Sequence, residues 1–175
     1  MSIAEINHGE YTNRKTRRSQ IGMKIGVISD THIRRFAELP HNLIIALSKV
    51  DLIVHAGDIV ALDVVKGLEG LAPVKGVYGN MDLPEIRTVF PQTELLDIEG
   101  KKIAIVHGSG GPWDLALRVG KLFTGVDAVI FGHSHRAFNK VVGQVLYFNP
   151  GRASDSYGLL EVDREIKATI YENYY

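Results

Sequence analysis

Two kinds of side chain in this sequence could hold metal ions: the oxygen donors Asp30, Asp58 and Asn80, and the imidazoles His32, His107, His133 and His135. They fall in five short clusters, Asp30-Thr31-His32, Gly57-Asp58, Gly79-Asn80-Met81-Asp82, His107-Gly108 and Gly132-His133-Ser134-His135. Asp30 and His32 are two apart, as are His133 and His135, so an extended backbone would point each pair to one side. The glycines allow tight turns and leave room beside a ligand. The donor set suffices for two ions with one carboxylate bridging. Oxygen and imidazole donors suit manganese, iron, zinc or nickel better than copper(I). The chain has no cysteine, so neither a thiolate site nor a disulfide can form.

Taken singly, each cluster has a plainer explanation. An Asp after a buried strand often caps the next helix, and Asn in a Gly-Asn pair is most often a turn residue. A lone His after a strand is usually structural. The ordered conjunction decides otherwise, because four of the seven histidines lie in the clusters. His55, just ahead of Ala56-Gly57-Asp58, reads equally as a support for the site or as a satisfied core histidine. His8 and His41 read as surface residues, and Trp113 as packing at a helix start. Arg34, Arg35 and Arg136 follow cluster residues and read as solvated.

Each cluster follows a run that reads as a strand. Residues 24–29, 51–55 and 74–78 are short, largely apolar runs, as expected of strands buried on both faces. Leu39, Leu43 and Leu47 recur at helical spacing between the first two, and Ala61, Val64, Val65 and Leu68 between the next two. This β-α-β-α-β rhythm predicts parallel pairing with helical crossovers. Residues 94–98 and 102–106 flank Glu99-Gly100-Lys101 and predict a hairpin. Leu115, Val119 and Leu122 predict a further helix, with Pro112 near its first turn. Strands are then predicted at 126–131, 140–142, 145–149, 157–162 and 166–171. Asn149-Pro150-Gly151 reads as a turn under the site. In open α/β sheets ligands bind beyond the carboxyl ends of the strands, which is where all five clusters fall.

The 175 residues suit one domain, expected over residues 23–175, with residues 1–22 as a basic, polar arm. Lys plus Arg equals Asp plus Glu at 20 each, so net charge gives no argument for a nucleic-acid or acidic-membrane partner. No apolar run is long enough to span a bilayer and no signal-peptide core is evident, which places the protein in the cytoplasm by expectation.

The motif series Asp30-x-His32, Gly57-Asp58, Gly79-Asn80-x-Asp82, His107-Gly108 and Gly132-His133-x-His135 resembles the calcineurin-like metallophosphoesterase family, its small single-domain phosphodiesterase branch best. The resemblance runs from Met23 to about residue 165 and includes Asn149-Pro150-Gly151. It implies an α/β fold of two packed mixed β-sheets flanked by helices, the family's four-layer sandwich. It implies that Asp30, His32 and His135 bind one divalent ion and Asn80, His107 and His133 a second. Asp58 would bridge them and Asp82 would orient the site from behind, so that Asp58, Asn80, Asp82 and His107 form the catalytic core. Manganese would be the first expectation for both ions, with nickel, zinc and iron as alternatives. The implied reaction is hydrolysis of a small phosphate ester, a diester above all, by a hydroxide bridging the two ions, with no protein nucleophile. Self-association into a homo-oligomer is common in this branch.

Two departures matter. Protein phosphatase relatives carry a proton-donating histidine where this chain has Met81, so the resemblance argues against that branch, favours the small-phosphodiesterase branch and implies good leaving groups. Many small relatives read His-Gly-His where this chain reads His107-Gly108-Ser109, which removes one borrowed substrate contact. A second resemblance, to the small subunit of retromer, implies a protein-binding scaffold. Such relatives lose metal-binding histidines, whereas all the ligand positions are filled here. A nuclease branch is disfavoured by the zero net charge.

Overall fold

The computed structural model describes residues 22–174, so the expected arm at 1–22 lies almost wholly outside the described residues. Two five-stranded mixed sheets face each other. The first has the order β10-β9-β1-β2-β3, from β1 (Met23–Ile28), β2 (Leu52–His55), β3 (Val74–Gly76), β9 (Ser156–Val162) and β10 (Ile166–Glu172). The second has the order β4-β5-β6-β8-β7, from β4 (Thr93–Ile98), β5 (Lys101–Val106), β6 (Ala128–Phe131), β7 (Phe138–Val142) and β8 (Val145–Asn149).

Helices α1 (His41–Leu47) and α2 (Leu62–Glu69) connect strands of the first sheet, α3 (Pro84–Val89) lies in the crossover from β3 to β4 of the second, and α4 (Leu115–Gly120) precedes β6. The period-2 alternation of the strands sorts their side chains between layers. Ile25, Val27, Val54, Ile105, Ile130 and Phe148 fill the core between the sheets. Ile28 and Ile53 turn the other way and pack with Leu43, Leu47, Val64 and Leu68. Ala104, Val106, Val129 and Phe131 pack with Leu115 and Val119 of α4. The layers are therefore helices, sheet, sheet, helix.

Parallel pairing aligns the carboxyl ends that matter. β1 runs parallel to β2, β2 to β3, β5 to β6 and β6 to β8. The Ala153 N–H donates to Ser29 O at 2.9 Å, tying the segment after β8 to the end of β1 across the two sheets. The predicted hairpin is present, with Glu99 and Gly100 both at positive φ, as a tight hairpin turn with the strands' own twist requires.

Several expectations need correction. Leu39 is buried but lies outside the helix, because Pro40 stands at the N-cap of α1 and Leu39 only closes a short 3-10 turn at Phe36–Glu38. The third strand pairs only to Gly76; the Val77 and Tyr78 N–H groups donate instead to His55 O and Pro91 O. The helix after Pro112 begins at Leu115, behind an Asp114 in the left-handed region, and it ends at Gly120, leaving Leu122 exposed. Trp113 does not pack at its start: it is 73% exposed, with the Arg136 guanidinium over its ring. α3 was not anticipated, although Pro84 and Glu85 in its first turn are helix-start residues.

Candidate metal centre

The donor atoms converge at the aligned strand ends. Asp30, two residues beyond β1, is fully buried. Its Oδ2 accepts from Ser29 Oγ at 2.5 Å and from the His133 N–H at 3.1 Å, while Oδ1 has no hydrogen-bond partner among the described residues. His135 Nε2 lies 3.3 Å from that Oδ1, and His32 Nε2 lies 3.2 Å from His135 Nε2. Asp30, His32, Asp58 and His135 can each offer one atom such that all four atoms lie within 4.8 Å of one another.

A second group adjoins the first. Asn80 Oδ1 is 3.2 Å from His107 Nε2 and 3.0 Å from His133 Nδ1. His107 Nδ1 donates to Ala56 O at 2.7 Å, which in the neutral ring leaves Nε2 bare towards the centre. His133 Nε2 donates to Gly110 O at 2.7 Å, which leaves its Nδ1 bare in the same way. Asp58 sits between the groups, with Oδ2 3.6 Å from His32 Nε2 and 3.3 Å from His107 Nε2. Too few protons are available for so many facing lone pairs, and the buried Asp30 Oδ1 is left orphaned. A divalent cation satisfies such a set; hydrogen bonds within it do not.

The surrounding backbone is built for this. Asp30, His32, Asp58, His133 and His135 all have φ between +50° and +67°. The pairs two apart therefore converge through left-handed turns at the strand ends, not along an extended backbone as their spacing suggested. Each such residue costs on the order of 1 kcal/mol, strain that tends to gather at functional sites. Gly57 has φ +95°, and a Cβ there would stand 2.5 Å from His107 Nδ1, so only glycine lets the histidine approach.

Asp82 is buried behind the site. Its Oδ2 accepts from the Gly79 N–H at 2.7 Å and the Asp58 N–H at 3.0 Å, and its Oδ1 from the Val60 N–H at 2.6 Å. It thus fixes the backbone that carries Asp58 and Asn80 without presenting an oxygen to the donor cluster. The Met81 N–H donates to Asp58 Oδ1 at 2.8 Å, leaving Oδ2 for the centre. Asn149 supports the floor, as its turn suggested: Nδ2 donates to Gly132 O at 2.8 Å and to Ser134 Oγ at 3.1 Å.

Electrostatics follow from burial and neighbours. Burial pushes the Asp30 carboxyl above the ordinary aspartate value, and the Ser29 hydrogen bond and the nearby imidazoles only partly offset it. Burial acts the same way on Asp58, but the His107 hydrogen bond and charge and the Met81 N–H outweigh it, so its pKa is lowered. Burial would lower His107, yet its contact with Asp58 raises it. His55 is resolved as a core histidine that also braces the site. Its Nδ1 accepts from the Gly57 N–H at 3.2 Å and its Nε2 faces Thr31 Oγ1 at 3.3 Å. His41 is exposed, and His8 lies outside the described residues. Arg35 pairs with Glu38 at 2.8 Å.

Two arginines had no sequence signal. Arg118 of α4 donates to the carbonyls of Ser109, Gly111 and Trp113, gripping the loop whose Gly110 O holds His133. Arg87 of α3 donates from Nε to Asp82 O at 3.0 Å and lies over the Tyr78 ring, 4.8 Å from its centroid. Both contacts are short in sequence, five to nine residues, but they form only because the loop ahead of each helix folds back onto it, which side-chain spacing does not encode.

Comparison with known proteins gives a consistent result. The model of the calcineurin-like phosphoesterase superfamily domain matches residues 23–165. A protein named probable metallophosphoesterase from Methanothermobacter thermautotrophicus is 41% identical over 133 residues, 74% of this chain and 76% of the relative. A phosphodiesterase of Methanocaldococcus jannaschii is 33% identical over 147 residues, 74% of this chain and 83% of the relative. Among solved structures, wild-type Vps29 of Entamoeba histolytica complexed with Zn2+ is 25% identical, with a TM-score of 0.67 over 87% of this chain and 100% of that one.

Proposed function

The chain belongs to the calcineurin-like phosphoesterase superfamily, and from that membership and the placement of its donor atoms we propose that it is a phosphodiesterase working through two divalent ions. Asp30, His32 and His135 would hold one ion and Asn80, His107 and His133 the other, with Asp58 shared. The observation that carries the dinuclear reading is the position of Asp58 Oδ2, 3.6 Å from His32 Nε2 on one side and 3.3 Å from His107 Nε2 on the other. Manganese suits this oxygen and imidazole set, as do nickel, zinc and iron.

When bound, such ions supply Lewis-acid polarisation of phosphoryl oxygens and acidify water. The chain's own residues supply the rest. Asp82 holds the Asp58 and Asn80 backbone by three N–H bonds, counting Gly79, Asp58 and Val60. The Ala56 and Gly110 carbonyls fix the tautomers and ring planes of His107 and His133. The hydroxyls nearest the donors are engaged, Ser29 with Asp30 Oδ2 and Thr31 with the Asp58 and Ile59 carbonyls, so among the described residues none is offered as a nucleophile. Met81, 58% exposed beside Asp58, cannot give a proton to a leaving alkoxide, so the site favours small diesters whose leaving group needs none.

The test is hydrolysis of bis(p-nitrophenyl) phosphate against p-nitrophenyl phosphate by chelator-treated protein, with each metal restored singly. Metal-dependent turnover favouring the diester is the expected result. A preference for the monoester with every metal would reverse the substrate assignment. The Vps29 likeness accommodates a second reading, a protein-binding scaffold. That reading expects no turnover and no loss of partner binding on chelation.

A further inference from the structure

A cleft of about 760 Å3 opens at the second donor group, with Asn80 and His107 among its lining residues. Its lining also includes Tyr78, Arg87, Arg118 and Phe123. The two guanidinium groups differ in what they have left to offer. Arg118 is spent on the loop carbonyls of Ser109, Gly111 and Trp113. Arg87 uses only Nε, towards Asp82 O at 3.0 Å, and among the described residues no hydrogen bond or ion pair engages its two Nη groups.

Arg87 is also held in place. The Tyr78 ring lies under its guanidinium at 4.8 Å, and the Asp82 carbonyl fixes its edge. A cation held on a face and an edge loses little freedom on binding, and its remaining paired donors match a carboxylate or phosphate. Asp82, whose carbonyl it takes, also organises the Asp58 backbone, so the guanidinium is tied directly to the segment carrying the donor atoms.

We infer that Arg87 is a specificity residue that binds a second anionic group, a phosphate or a carboxylate, on the organic part of the phosphate ester. The inference rests on the phosphoesterase reading for the position of the reacting phosphoryl group. The Nη groups form a paired, charge-assisted contact with the second anion, and an ester lacking that anion leaves them in solvent.

The test is calorimetric binding, by the full chain with manganese added, of phenylphosphonate and of its 3- and 4-carboxy derivatives, whose P–C bonds are not hydrolysed. The wild type is expected to bind the better carboxy derivative about tenfold or more tightly than phenylphosphonate. Arg87→Ala should bring that ratio close to one, and Arg87→Lys should leave it in between, since lysine keeps the charge but not the fork. Equal affinities in the wild type, or no measurable binding of any of the three, overturn the inference. A loss of equal factor on all ligands in Arg87→Ala overturns it too, since it places the residue on the shared phosphonate or in structural support. Failure of the hydrolase reading is separate: it is absence of diester turnover while the carboxylate preference persists.

Discussion

Burial holds the His55 imidazole neutral, with its pKa lowered to about 3, and both ring nitrogens are engaged by Gly57 and Thr31. An unfolded chain protonates this residue below the ordinary histidine value of 6.5, so between there and about 3 the unfolded state binds the extra proton. The stabilisation from a neutral His55 is complete above that upper value and is lost as pH falls, at up to ~1.4 kcal/mol per pH unit. Urea unfolding in chelator between about pH 4 and 7 should show a shallower slope for His55→Gln than for the wild type. Identical slopes would contradict the assignment. The raised Asp30 pKa acts in the opposite sense but is common to both proteins. Met81 gives a second residue-level prediction. Met81→His should increase turnover of poor-leaving-group monoesters by about 100-fold, the lower end of general-acid effects. No gain would separate leaving-group choice from this position.

At the scale of elements, the site depends on how the loop after β5 is gripped. Arg118 on α4 holds the Ser109, Gly111 and Trp113 carbonyls, and Gly110 O holds His133. Arg118→Ala should therefore weaken metal binding by about 10–100-fold, the range for outer-shell partners, while leaving the far-ultraviolet spectrum intact. Unchanged affinity by metal titration would show that the loop holds His133 without Arg118. The donors and the strands that carry them were legible in the sequence, because a buried apolar run ending in Asp, Asn or His is a local pattern. The left-handed backbone at Asp30, His32, His133 and His135 was not legible, since spacing alone fits an extended chain equally well. Nor were α3, too short for a periodic stripe, or the roles of Arg87 and Arg118, which come from the loop ahead of each helix folding back onto it.

At the scale of the whole molecule, two mixed sheets bring strand ends from both to one edge, and the interior between them keeps the two donor groups in register. Phe148 is fully buried in that interior, one residue before Asn149, which props the Gly132–Ser134 turn. Phe148→Ala should cost about 3–5 kcal/mol of stability, read from urea midpoints. A cost under about 1 kcal/mol would mean the sheets close over the gap. The layered architecture was legible from the rhythm of helices and strands in the first half and the β-rich second half. Which strands join which sheet was not, because β9 and β10 return to pair beside β1 over more than a hundred residues of intervening chain. Among the described residues no helix is long and apolar enough to cross a membrane.

The central claim is that this edge works as a two-ion phosphodiesterase centre with Asp58 shared. It is tested most directly by titrating manganese into metal-free protein while following both bound ions and bis(p-nitrophenyl) phosphate turnover, in the wild type and in Asp58→Asn. The account predicts that wild-type turnover rises until two ions are bound per chain, and that Asp58→Asn, without the shared carboxylate, loses tight binding of at least one ion together with at least ~100-fold of the rate. Full activity with a single ion, or an Asp58→Asn protein that binds and turns over like the wild type, would contradict it.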